Sequence, residues 1–193
     1  PGRAYLLSRR CTQRCFFLRP DRKTSEVFRY CLGEAARKTG IRLIAWVAMS
    51  NHYHAVVHDE AGVLPVFLER FHKLCAKALN VRWSRWENLW ASEETSVVRL
   101  VELGDVVDKV IYVLANPVAA QLVDRAVVWP GETAVRQLDG RPVMAERPRL
   151  FFRRDGGPMP ASVSLVAELP PGWTAGRDAW IERIRAGVAE REA

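Results

Sequence analysis

The chain has 193 residues and is 49% hydrophobic, with seven tryptophans and seven phenylalanines, which is ample for one packed domain with an extension. Lys and Arg outnumber Asp and Glu by 29 to 22, a formal net charge of +7, and a surplus of that sign favours a polyanionic partner, most simply nucleic acid. No run approaches the length of apolar sequence that a transmembrane helix needs, and the four cysteines follow neither a disulfide-framework nor a zinc-finger spacing.

The basic surplus is concentrated at the amino-terminal end, where residues 1–42 hold 11 Lys or Arg against three acids. The first ten residues lack the apolar stretch of a signal peptide, so the expected location is the cytoplasm. Residues 4–10 read as a first strand, followed by a basic loop through Pro20. Residues 22–39 read as an amphipathic helix, because Val27, Tyr30, Cys31, Leu32 and Ala35 cluster at helical spacing and Gly40 supplies a stop. Residues 41–49 and 52–58 read as two strands joined by the turn pair Ser50-Asn51. A second helix is expected over 63–83, with an apolar stripe from Leu64 through Phe67 and Phe71 to Leu79. After a loop carrying Trp83, Trp86 and Trp90, residues 95–102 are a fourth strand candidate. A third helix runs from about residue 105 to Asn116-Pro117, where the proline is expected to bend or end it.

This order predicts an α+β fold of the ferredoxin-like, split βαβ kind: an antiparallel sheet with helices on one face and one appended helix. Beyond residue 128 the texture changes to short apolar pieces broken by Pro and Gly, ending in a helix near 177–191. The expected organisation is therefore a catalytic domain over 1–127 and an extension over 128–193 that wraps it or contacts DNA.

Two clusters carry chemistry. In the apolar run around His52-Tyr53-His54, strand alternation points both imidazoles to one face and Tyr53 to the other. Such a pair either grips one divalent cation or forms a half-buried hydrogen-bonded pair inside a sheet. His58 shares that face but lies about 13 Å further along the strand, too far for the same ion, and His72 sits beside Phe71 as a structural or surface residue. On the third helix, Val107, Val110, Ile111, Leu114 and Val118 form one stripe. Tyr112 and Asn116 then fall on the polar side, one turn apart, flanked by Asp108 and Lys109. A tyrosine so placed is either an exposed amphipathic ring or a nucleophile. Combined with two co-facial histidines and an amide oxygen from Asn116, it could attack a phosphodiester with metal assistance.

The run Met49-Ser50-Asn51-His52-Tyr53-His54, followed by Tyr112-Val113-Leu114-Ala115-Asn116-Pro117-Val118, resembles the single-tyrosine HUH transposases. It is most similar to their REP-associated tyrosine transposase branch, with its M-x-N-H-x-H and Y-x-x-x-N-P-V signatures; the amino-terminal Pro-Gly-x-x-Tyr and Arg9 also fit. The resemblance covers roughly residues 1–125 and departs at Ser50, where the family often carries proline. It implies that His52 and His54 bind Mg²⁺ or Mn²⁺ with Asn116 as third ligand. It also implies that Tyr112 cleaves single-stranded, hairpin-forming DNA through a 5′-phosphotyrosine without a nucleotide cofactor. Arg9, Arg10, Arg14 and Lys109 are the candidates for contacting DNA. Monomers or homodimers are expected, acting at the nucleoid. The alternative is a non-catalytic protein that binds DNA hairpins with the same fold; a third class is a phosphodiesterase that transfers to water. In the extension, Arg147, Arg149, Arg153 and Arg154 with Phe151 and Phe152 either touch DNA or pack and solvate, with packing favoured for the phenylalanines.

Overall fold

In the computed structural model, which describes every residue except Arg154 and Gly156, the first half of the chain runs β1 (Arg3–Arg10), α1 (Arg22–Thr39), β2 (Arg42–Ala48), β3 (His52–Asp59), α2 (Leu64–Arg82), β4 (Ser96–Leu100) and α3 (Leu103–Ala119). The second half adds β5 (Val143–Glu146), β6 (Ser162–Leu165) and α4 (Gly176–Glu192). Strands β1 to β4 form one antiparallel sheet in the order β2-β3-β1-β4. Thus β1 and β2 run parallel with β3 between them, and β3 and β4 run parallel with β1 between them. This is the ferredoxin-like, doubly split βαβ arrangement expected from the element order.

Local chemistry sets the boundaries. The Asp21 carboxylate accepts the Thr24 amide at 2.9 Å and caps α1, while Gly40, at φ 75°, closes it in the left-handed conformation. Met49 donates its amide to the His52 carbonyl at 2.8 Å across Ser50-Asn51, closing the β2–β3 hairpin. A capping box between Glu102 and Asp105 starts α3. This helix runs through Pro117 to Ala119 rather than ending at the proline. So near the carboxyl end a proline removes a single backbone bond, and the Ala120 amide still reaches the Asn116 carbonyl at 3.0 Å.

The sheet divides the molecule. Tyr53 is fully buried on one face, edge-on to Phe28 of α1 (centroids 5.9 Å) and Phe71 of α2 (5.2 Å). His52 and His54 point to the other face, where α3 lies. Helices α1 and α2 therefore share one face, and the appended α3 covers the opposite one.

Residues 128–193 pack on this framework from both sides. The β5–β6 hairpin lies on α1, and Gly33 makes the close approach possible: a Cβ there would meet Val163 Cγ2 at 2.9 Å. Tyr30 donates its hydroxyl to the Pro160 carbonyl at 2.7 Å and packs edge-on to buried Phe152, whereas Phe151 stays half exposed. Arg147 donates to the Met159 carbonyl; Arg154 lies outside the described residues. The extension also covers the free edge of β2, where the Ala48 amide donates to Glu132 O and the Glu168 amide to Leu43 O, both at 2.8 Å. Helix α4 packs on the outer side of α3, with Gly187 against Ile111, where an added Cβ would force the Ile111 side chain to move. Among the described residues, no helix is long and apolar enough to cross a membrane.

The deepest charged tie between extension and core is Glu132, only 2% exposed. Its carboxylate takes Arg29 at 2.6 Å and the Trp46 indole N–H at 3.1 Å. Glu132→Ala leaves that buried indole donor and the guanidinium without their acceptor, so urea denaturation should show a loss of about 2–3 kcal/mol. Arg22→Ala, which breaks only an exposed pair with Glu26, should leave the urea midpoint unchanged.

Candidate active site

The site forms where the start of β3 faces α3. The His52 and His54 rings stand 4.9 Å apart between centroids, at 84° to one another. Tyr112 packs edge-on to His54 with centroids 5.4 Å apart, and the Asn116 side chain hydrogen-bonds His52. Tyr112 and Asn116 are each half buried, on the narrow polar strip left between the buried residues of α3. Helical spacing of four residues matches the strand spacing of two closely enough to set Tyr112 over His54 and Asn116 over His52.

Asn51, which the sequence places in a turn and in the M-x-N-H-x-H signature without a role of its own, governs the tautomer of His52. Its amide nitrogen donates to the Arg14 carbonyl at 3.1 Å, which can only accept. That fixes the amide orientation and turns Oδ1 toward His52 Nδ1, 2.7 Å away. A carbonyl oxygen cannot donate, so His52 Nδ1 carries the proton and Nε2 keeps its lone pair. The signal that could have exposed this role is an Asn immediately before the histidine at a hairpin turn.

Burial lowers the pKa of both histidines, and the Arg10 charge adds to it; Asn116 works the other way on His52. His54 falls to about 4, with the neighbouring His52 contributing after burial. Both imidazoles are thus neutral donors at neutral pH. His54 Nδ1 is buried and has no hydrogen-bond partner among the described residues. Among the described residues no third His, Cys, Asp or Glu joins the pair, so the remaining protein donor is the amide of Asn116. Two neutral imidazoles and one amide oxygen are donors of the kind that suit a small divalent cation.

The basic candidates separate. Arg10 is the cross-strand partner of His52 and is exposed beside it. Lys109 lies 5.9 Å from the centre of the Tyr112 ring. Arg14, at φ 56°, lines with Arg10 and Gln13 a cleft of about 520 Å³ at the same end of the sheet. Arg9 also lines that cleft, with Glu93 and Glu94, but its side chain is not on the histidine face. Alternation along β1 sends it to the α1/α2 side, where it donates to His72 Nδ1 at 2.9 Å and Thr95 Oγ1 at 3.2 Å and lies over Trp90. His72 is structural: buried, with Nε2 2.7 Å from Tyr53 Oη.

A REP-associated tyrosine transposase, solved bound to a REP hairpin, matches at a TM-score of 0.54 and 17% identity, over 71% of this chain and 79% of that one. The chain has a transposase-like fold. A protein assigned as a transposase from Deinococcus radiodurans R1 matches with 19% identity at a TM-score of 0.44, over 53% of this chain and 82% of that one. No family model and no curated protein matches the chain. The likeness to transposases is one of architecture.

The split between Arg9 and Arg10 has a measurable outcome in this transposase-like frame. Arg9→Ala removes the donor to buried His72 and should cost about 1–2 kcal/mol in thermal or chemical unfolding. Arg10→Ala removes an exposed cation and should leave stability within about 0.5 kcal/mol of wild type.

Proposed function

We propose that the protein is a metal-dependent DNA transesterase of the tyrosine-transposase kind, acting on single-stranded, hairpin-forming DNA. The observation that carries this reading is the meeting of Tyr112 with His54, and of Asn116 with His52, within one chain. The DNA hairpin bound by the structurally similar REP-associated transposase supports the choice of substrate. An enzyme of this class would work at the nucleoid.

In the proposed reaction the Tyr112 hydroxyl oxygen attacks a backbone phosphorus. A bond forms between phosphorus and the phenolic oxygen as the bond from phosphorus to the 3′-oxygen breaks. The phenolic proton ends on the departing 3′-oxygen, so a 3′-hydroxyl leaves and the 5′-phosphate remains on the tyrosine. Attack by another 3′-hydroxyl reverses the exchange and joins strands, with the number of phosphoester bonds conserved. His52 Nε2, His54 and Asn116 would hold Mg²⁺ or Mn²⁺, which supplies Lewis-acid polarisation of a non-bridging phosphate oxygen. Arg10 adds a positive charge beside that phosphate, and Lys109 sets an ammonium one turn ahead of the nucleophile. Asn51 keeps the His52 lone pair directed into the site.

A labelled stem-loop oligonucleotide incubated with the protein and Mn²⁺ should yield a covalent protein–DNA adduct that disappears in Tyr112→Phe. An undiminished adduct in that variant overturns the assignment of the nucleophile. Binding without adduct in every divalent metal would favour a non-catalytic hairpin-binding protein, and soluble cleavage products without adduct a hydrolase. Asn51→Ala should weaken Mn²⁺ binding by roughly 10- to 100-fold in calorimetric titration, while the metal-free melting temperature moves little.

A further inference from the structure

A second cleft, of about 570 Å³, lies between the last two turns of α4 and residues 125–139, and shares no residue with the histidine–tyrosine site. That volume falls within the roughly 300–1,000 Å³ of small-molecule sites. On α4, Arg185, Val188, Ala189 and Glu192 line it at i, i+3, i+4 and i+7, so one face of the helix forms one wall. Val127, Val135 and buried Leu138 supply most of the apolar remainder.

Three guanidinia and two carboxylates line the cleft, but both acids are engaged. Glu192 accepts the Ala126 amide at 2.8 Å and stands 3.9 Å from Arg125. Asp139 accepts the Arg141 amide at 3.0 Å and meets the Arg141 guanidinium at 3.4 Å. Arg136 donates to the carbonyls of Val127 and Trp129, which hold its guanidinium in place without neutralising it. Arg185 is exposed and meets no acid among the described residues. Two guanidinia without a counter-charge, set beside aliphatic side chains, suit a ligand that joins a dianionic head to an apolar body. A phosphate monoester has that chemistry. A nucleic-acid backbone phosphate carries only one charge, and among the described residues no aromatic ring lines the cleft for a base to stack on. The Ala126 amide that Glu192 accepts belongs to the segment between the lining residues Arg125 and Val127. A ligand held by both walls would therefore keep that tether closed.

We propose that this cleft binds a small phosphate monoester, with its phosphoryl oxygens on Arg136 and Arg185 and its apolar body against Val127, Val135 and Val188, and that the bound ligand secures α4 to the chain after α3. Nothing in this depends on the chemistry of Tyr112. The probe is phenyl phosphate, dianionic at pH 8, titrated into the full chain by calorimetry, with inorganic phosphate and phenol as its separate halves. Phenyl phosphate should bind at least about tenfold more tightly than either half. Arg185→Glu should weaken it at least about tenfold, and Ala189→Trp, which fills the cleft from an exposed position, should abolish it. Both variants should keep the wild-type melting temperature, and the distant exposed change Lys38→Glu should leave binding unaltered. At ten times its Kd, phenyl phosphate should slow hydrogen exchange of the Ala126 amide by about tenfold. Absence of binding, equal binding of either half alone, undiminished binding in Arg185→Glu or Ala189→Trp, or a loss in Lys38→Glu would each overturn the proposal. Displacement of phenyl phosphate by a short single-stranded oligonucleotide without a terminal phosphate would overturn it in favour of a nucleic-acid surface. An unchanged Ala126 exchange rate with the ligand bound would overturn the role assigned to the tether.

Discussion

Strand β3 is hydrogen-bonded along both edges, to β1 and to β2, and its alternation is the constraint on which everything else depends. A slip of one residue would drive His52 and His54 into the aromatic layer and turn Tyr53 out toward α3. The layer resists that slip through a buried polar lock. Arg9 can only donate, so His72 accepts at Nδ1 and must donate from Nε2 to Tyr53 Oη, 2.7 Å away. The Trp90 indole N–H is held in turn by the His72 carbonyl at 3.0 Å. Burial, reinforced by Arg9, pushes the His72 pKa to about 3, so this lock works with a neutral ring. A cluster on the opposite face of the sheet thus helps to set which face the site histidines occupy.

The second requirement is that α3 hold still over that face. An isolated helix with one apolar stripe could roll on a flat sheet, but α3 is buried around most of its circumference, from Val106 to Pro117. The sheet holds one side and α4 the other, with Gly187 letting the two helices close on Ile111. Near the carboxyl ends of both helices, Glu192 accepts the Ala126 amide at 2.8 Å and tethers the chain just beyond α3. The carboxyl-terminal extension is therefore part of what aims Tyr112, and it does so within the same chain as the histidines.

Much of this was legible in the sequence because periodicity carries it. The period of two through His52-Tyr53-His54 gave the co-facial pair, and the period of 3.6 through Val107, Val110 and Ile111 left Tyr112 and Asn116 on the polar strip, where the structure has them. The same alternation argument, carried one strand over, separates Arg9 from Arg10; what the sequence lacks is the β1–β3 register that says which of them faces the histidines. Asn51 escaped because its role depends on a turn conformation and a loop carbonyl, neither of which has a period. The β5–β6 hairpin escaped because its four-residue strands, separated by a long loop with Pro and Gly, are too short to show alternation. Pro117 misled for the opposite reason: a strong local signal applied at a position where the helix had little left to lose.

Charge links the two faces. A site that handles a phosphodiester needs a positive surround, yet its imidazoles must stay unprotonated if their lone pairs are to act as donors. These demands conflict when the positive field comes from the imidazoles themselves. Here the field comes from groups that hold their charge at neutral pH, Arg10 above all. Arg10 both presents a guanidinium beside His52 and, after burial, lowers the pKa of His52 and His54. The same cation that would attract the phosphate therefore helps to keep the histidines neutral. The remaining basic surplus at the amino-terminal end, on the loop after β1 and the first turn of α1, extends that field around the end of the sheet without placing a further charge between the rings and Tyr112.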